Sequence, residues 1–189
     1  MKMKRIFWLG MALTTVLMLP ACGAQKRSAE TAMAATVQAW DAIKAQAANI
    51  VPDEAKSIDD AIAAATAQLQ GGNYKDALAA ATSLGTRVKE LADALPQKTA
   101  EAQSAWAELA GSIPGTLATL DKKLKGLKAP APGTPNADQS PVVMLGHLKD
   151  GWNDAQAAAQ GGRLGEAVSK ANDVRAGAVK MLNDLQAGS

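Results

Sequence analysis

The chain has 189 residues, with 20 Lys and Arg against 18 Asp and Glu, one His and one Cys. A formal charge of +2 gives no field to steer a nucleic acid, and a lone thiol excludes an internal disulfide. Hydrophobic residues make up 48% and aromatics only 3%, so the length suffices for one domain, with a core built mainly from small aliphatic side chains.

The opening segment, MKMKRIFWLGMALTTVLMLPAC, begins with Lys2, Lys4 and Arg5 and continues as an apolar run from Ile6 to Leu19. That run is shorter than the roughly 20 residues a helix needs to cross a bilayer, and small residues follow it. Residues 1–21 are therefore expected to be an export signal that is removed. Losing its three basic side chains leaves 17 against 18 acidic ones, a net charge of −1 on the remaining 168 residues.

At the end of this signal, Leu19-Pro20-Ala21-Cys22 resembles the lipobox of bacterial lipoproteins. The resemblance implies cleavage between Ala21 and Cys22, a diacylglyceryl thioether on the Cys22 sulfur, and a further acyl chain such as palmitate on the new amino terminus. Two or three chains, each contributing about 0.8 kcal/mol per buried CH₂, hold a protein to a membrane where one chain does not. An ordinary signal peptide with an incidental cysteine is the alternative, but it leaves an odd thiol in an oxidising compartment. Gly23 follows Cys22, in place of the Asp of inner-membrane retention in enteric bacteria. For a Gram-negative host, the resemblance implies the outer membrane, with the body facing the periplasm.

Residues 22–30 are polar and without periodicity and are expected to be a flexible tether. The rest, 31–188, is expected to be all-α, because Ala, Leu, Gln, Lys and Glu favour helix and the β-branched residues never alternate as in a strand. Val37, Trp40, Ile43, Ala47 and Ile50 form a first apolar stripe, stopped at Pro52. Ile58, Ala61, Ile62, Ala65 and Leu69 form a second, with Asp53 and Glu54 near its start and Gly71-Gly72 at its end. After Asn73, the run Tyr74, Ala77, Leu78, Ala81, Leu84, Val88, Leu91 and Leu95 marks a third helix that ends at Pro96.

A fourth helix carries Ala102, Trp106, Leu109 and Ile113, meets Pro114-Gly115, and resumes in phase through Leu117, Leu120, Leu124 and Leu127, as one kinked helix or two short ones. The stretch 129–141, APAPGTPNADQSP, is expected to be an extended loop. Leu145, Leu148, Trp152, Ala155 and Ala159 mark the fifth helix, ending at Gly161-Gly162. Leu164, Ala167, Val168, Ala171, Val174, Ala178, Met181 and Leu185 mark the sixth. The expected architecture is an Ala-rich helical bundle or short helical-repeat stack of about six helices.

At an offset of 90 residues, Gln70, Gly71, Gly72, Ala77 and Ala81 meet Gln160, Gly161, Gly162, Ala167 and Ala171, while Leu78, Leu84 and Leu91 meet Val168, Val174 and Met181. This fits a duplicated three-helix unit, 31–96 and 97–188, with the Pro-rich loop enlarging the second copy. Within it, GNYKDA at Gly72–Ala77 resembles the G-x-Y-x-x-A core of the tetratricopeptide family, echoed by GRLGEA at Gly162–Ala167. That likeness covers one turn per copy, and the helix after Tyr74 is too long for the 34-residue period. It implies shared helix-hairpin chemistry without membership.

No motif arranges residues for catalysis. His147 lies off its stripe and has no second His or thiol to complete a metal set. Asp53, Glu54, Asp59, Asp60, Asp150 and Asp154 fit dipole partners or solvated surface better than metal ligands. In LDKKLKGLK, Lys122, Lys123, Lys125 and Lys128 beside Leu120, Leu124 and Leu127 suit either the C-terminus of a packed helix or contact with anionic headgroups. Trp40, Trp106 and Trp152 each sit on a stripe of a different helix, as bulky core residues or as the lining of an apolar pocket.

The expectation is a non-enzymatic lipoprotein of the cell envelope, without cofactor, metal or nucleic acid. Cys22 joins it to the membrane, and its helical body binds or scaffolds an envelope protein. A periplasmic small-ligand binder with a pocket of Trp40, Trp106 and Trp152 is the alternative.

Overall fold

In the computed structural model, which describes residues 21–131 and 135–187, all regular structure is helical. The order is α1 (Ala21–Ile50), α2 (Pro52–Gln70), α3 (Tyr74–Leu124), a 3-10 turn at Ala137–Gln139, α4 (Pro141–Gln160) and α5 (Leu164–Ala187). The all-α expectation holds, with five α-helices among the described residues instead of about six. Residues 1–20 of the expected export signal, including Leu19 and Pro20 of the expected lipobox, lie outside the described residues, and Ala21 and Cys22 open α1.

The difference in number arises in α3, whose 51 residues run through both Pro96 and Pro114. Each proline removes one i→i−4 donor and crowds a carbonyl of the preceding turn, which costs about 3 kcal/mol in a helix interior. Both rings are exposed, whereas Leu91, Leu95, Leu109, Ile113 and Leu117 are buried. Burying one such side chain contributes roughly 1.5–3 kcal/mol, so the stripe as a whole outweighs the two defects. Hydroxyls cluster around the prolines: Thr99 Oγ1 donates to the Leu95 carbonyl at 2.7 Å, Ser112 Oγ to Glu108 at 2.9 Å and Thr116 Oγ1 to Ser112 at 3.1 Å. Bonds of this kind back to the preceding turn let a helix bend without breaking.

Residues 22–30, expected as a tether, form the opening turns of α1. The segment is polar but composed of helix formers. Lys26 and Glu30 pair across one turn at 3.8 Å, and Ala29 is fully buried. In the Pro-rich stretch, Asn136 adopts a left-handed φ of 59° ahead of the 3-10 turn, and Pro141 occupies the first turn of α4, where its missing N–H costs nothing.

Two turns have the same construction. After α2, the amide of Asn73 donates to Gln68 at 2.9 Å and that of Gly72 to Leu69 at 3.2 Å, with Gly72 at φ 79°. After α4, Arg163 donates to Ala158 at 2.9 Å and Gly162 to Ala159 at 3.0 Å, with Gly162 at φ 77°. Both are Schellman caps, in which only glycine takes the left-handed position without strain. The carbonyls of Asn73 and Arg163 then accept the first amides of α3 and α5, from Ala77 and Ala167. The cores continue in the same register: Ala65, Ala77, Ala81, Leu84, Val88 and Leu91 are buried, and so are Ala155, Ala167, Ala171, Val174, Ala178 and Met181.

The chain divides into two compact units. The first takes the described residues up to Ala42 together with Ser57–Glu90. Its core gathers Met33 of α1, Ala65 of α2, and Ala81 and Leu84 of α3, with Val37, Ile62 and Leu69 packed around them. The second takes Ile43–Lys56 and the described residues from Leu91 onward. There Leu109, Ile113, Leu117, Leu120 and Leu124 of α3 meet Leu145, Trp152 and Ala155 of α4 and Ala171, Val174, Ala178 and Met181 of α5. Alanine supplies much of both cores, which lets helix backbones approach closely. At Gly165, a Cβ would collide with the Ile50 carbonyl oxygen, so α5 passes the end of α1 at a distance only glycine allows.

Candidate functional site

The tryptophans are placed by their stripes, Trp40 in the first unit and Trp106 and Trp152 in the second. Trp40, in the first unit, is 2% exposed, and its indole N–H donates to Asp59 Oδ1 of α2 at 2.8 Å. Nearby, Thr36 Oγ1 donates to the Ala81 carbonyl of α3 at 3.0 Å, tying the buried face of α1 to α3. In the second unit, Trp106 of α3 and Trp152 of α4 stack with ring centroids 5.5 Å apart and planes inclined by 19°. Their facing surfaces are occupied by each other.

The first unit instead carries an open, largely apolar groove of about 560 Å³ between α1 and α2. Met33 is its buried floor, Val37, Thr66 and Leu69 are half-buried, and Ala34 and Gln38 line its rim together with Glu30 and Asp41. The spacing of Met33, Val37 and Trp40 on α1 explains the geometry: one helix face closes the core through Met33 and Trp40 and leaves Val37 between core and solvent. Val37 and Leu69 are legible in the sequence as stripe residues. Met33 is not, although its place one turn before Val37 carries the signal.

The second unit has a cleft of about 610 Å³ where α1 passes into α2 beside the start of α5, lined by Ile50, Val51, Pro52, Asp53, Arg163 and Glu166 among others. Three of its charges, Arg163, Glu166 and Lys170, are paired. Arg163 Nε donates to Glu166 Oε2 at 2.8 Å, and Lys170 lies 3.8 Å from both Glu166 and Asp154. Arg163 holds the Glu166 carboxyl below its ordinary range through that hydrogen bond, desolvation opposes it, and the charges of Arg163 and Lys170 add to the lowering. The group is exposed, so salt screens the interaction.

Among the remaining candidates, Asp59 is half-buried, whereas His147, Asp53, Glu54, Asp60, Asp150 and Asp154 are exposed. Glu54 pairs with Lys98 at 3.5 Å, and Asp59 serves Trp40. Among the described residues, no three His, Cys, Asp or Glu side chains are grouped so as to hold a metal ion. Nor is any described helix long and apolar enough to cross a membrane. Compared with family models, curated proteins and solved structures, the chain finds no match in any of the three.

Proposed function

We propose that this protein is a lipoprotein of the cell envelope, held to a membrane through Cys22, whose non-catalytic helical body binds or scaffolds another envelope component. The lipobox Leu19-Pro20-Ala21-Cys22 motivates the anchor. The observation that carries the binding role is the α1–α2 groove, an apolar trough with a buried Met33 floor and carboxylates on its rim. Such a trough suits an amphipathic helix that lays apolar anchors on Met33, Val37 and Leu69 and presents basic side chains to Glu30 and Asp41.

The body is built, in this reading, from a duplicated three-helix unit. Support comes from the two Schellman caps with glycine at φ 79° and 77° and from core positions that recur in register 90 residues apart. The about-six-helix reading draws support from the same division: α3 serves both units, its stretch before Leu91 in the first and the remainder in the second. The ligand-pocket alternative draws less support, because the tryptophans are engaged with Asp59 or with each other.

Crosslinking of the native protein in its own membranes, followed by capture, tests the binding role. Ala34 is exposed on the rim, so Ala34→Arg fills the groove without entering the core. The expected result is a defined protein partner captured by the native chain and lost, by about tenfold or more, with Ala34→Arg at unchanged helicity. Equal capture by both proteins, or saturable quenching of tryptophan by a small molecule without any protein partner, overturns the proposal.

A further inference from the structure

The end of α3 departs from the packed lysine-rich terminus that the helix dipole alone would explain. Leu120 and Leu124 are buried in the second unit, as a bundle helix requires. Leu127 is not: it is 57% exposed, one of two large hydrophobic side chains so exposed among the described residues. The chain leaves the helix at Lys125 and turns through Gly126 at φ 95°, with the amide of Leu127 bonded to the Leu124 carbonyl at 3.0 Å. This turn sets Leu127 between Lys125 and Lys128, just beyond Lys122 and Lys123, and all four lysines are exposed.

The charge on this end is uncompensated. Asp121, the nearest carboxylate in the sequence, is taken by Lys149 of α4 at 2.6 Å. No described carboxylate forms an ion pair with Lys122, Lys123, Lys125 or Lys128. On a body whose mature net charge is −1, four unpaired cations within seven residues form a local field of their own. The dipole accounts for lysines in the last turn of a helix. It does not account for Lys128 beyond the turn, nor for a leucine held in water among them.

We infer that this helix end, Lys122 to Lys128, is a membrane-contact surface, with the four ammonium groups against anionic lipid headgroups and Leu127 inserted among the acyl chains below them. A lipid surface supplies both demands together, negative charge at the headgroups and an apolar phase within reach of one side chain. A nucleic acid backbone answers only the charge. The inference deepens the reading of a membrane-held protein and rests on it for its biological setting, while the contact itself is independent of Cys22 chemistry.

The test is lysine acetylation read by mass spectrometry, on the protein as cells make it and on its Cys22→Ser form. Each is incubated at low salt with phosphatidylcholine vesicles or with vesicles in which about a third of the lipid is phosphatidylglycerol. On anionic vesicles, Lys122, Lys123, Lys125 and Lys128 are expected to react about fivefold or more slowly in both proteins, with Lys75 and Lys180 unchanged. Leu127→Asp and high salt are each expected to abolish the protection. Equal reactivity of the four lysines on both vesicles overturns the inference, even if the acylated protein stays with the lipid. Protection by an oligonucleotide with none by vesicles overturns it as well. If mass spectrometry shows that the protein as cells make it carries no acyl chain on Cys22 while its four lysines are protected, the contact stands and the Cys22 anchor fails.

Discussion

At the scale of the residue, the Trp40–Asp59 pair concentrates the largest local energies. Trp40 is almost fully buried, which removes on the order of 150–250 Å² from water, yet its N–H needs an acceptor inside the protein. Asp59 supplies it at 2.8 Å, and a hydrogen bond to a charged acceptor is worth about 1.5–3 kcal/mol. Asp59→Ala is therefore expected to lower stability by about 1–3 kcal/mol, because the indole N–H is left buried without its partner. Trp40→Phe should cost at least as much, and the double variant less than the sum of the two, with a coupling of about 0.5–3 kcal/mol. Urea unfolding followed by circular dichroism checks this cycle. Additive costs would mean that the bond contributes nothing of its own. The sequence discloses Trp40 as a core residue through its place on a stripe. Asp59 reads there as a solvated carboxylate near a helix start, because a contact across 19 residues leaves no periodic trace. The Trp106–Trp152 stack is hidden for the same reason, since each ring is legible on its own helix but the meeting of the two is not.

At the scale of the element, the paired glycines and the prolines test local rules in opposite ways. Gly71-Gly72 and Gly161-Gly162 end helices as their chemistry dictates, since a left-handed cap is a property of a few adjacent residues. Pro96 and Pro114 do not end α3, because the burial of Leu91, Leu95, Leu109 and Ile113 depends on residues far away in the chain. Local propensity is a weak prior where tertiary packing opposes it. The opening of α1 shows the same override, with Ala29 buried in a segment that lacks any stripe. Both prolines are exposed, so replacing them touches no core contact. Pro96→Ala and Pro114→Ala are each expected to raise stability by about 1–3 kcal/mol, by restoring a backbone donor and relieving the clash with the preceding turn. The measurement is the urea midpoint, with helicity unchanged. A lower midpoint at either site would show that the stiffness of proline in the unfolded chain outweighs the bond it denies the helix.

At the scale of the whole molecule, stability and the proposed location rest on different parts of the chain. The interhelical ion pairs Lys149–Asp121, Lys98–Glu54, Arg175–Glu108 and Lys170–Asp154 are all substantially exposed and are worth about 0–1 kcal/mol each. Burial of alanine and leucine therefore carries the fold, and among the described residues every buried side chain lies at Ala29 or beyond. The proposed anchor at Cys22 precedes all of them. Cys22→Ala is accordingly expected to change unfolding free energy by no more than about 0.5 kcal/mol, the range of substitutions outside a core. Made with an ordinary cleavable export signal in place of residues 1–21, so that the apolar run Ile6–Leu19 is still removed, the Cys22→Ala protein should move from the membrane fraction to the soluble envelope fraction at high salt, where headgroup attraction to Lys122, Lys123, Lys125 and Lys128 is screened. An inhibitor of lipoprotein signal peptidase should likewise block maturation of the native precursor. If the Cys22→Ala protein stays with membranes in high salt, acyl chains are not what holds it. Adhesion would then come from an apolar contact that salt strengthens, and Leu127 and the α1–α2 groove with its Met33 floor are where the described residues offer one.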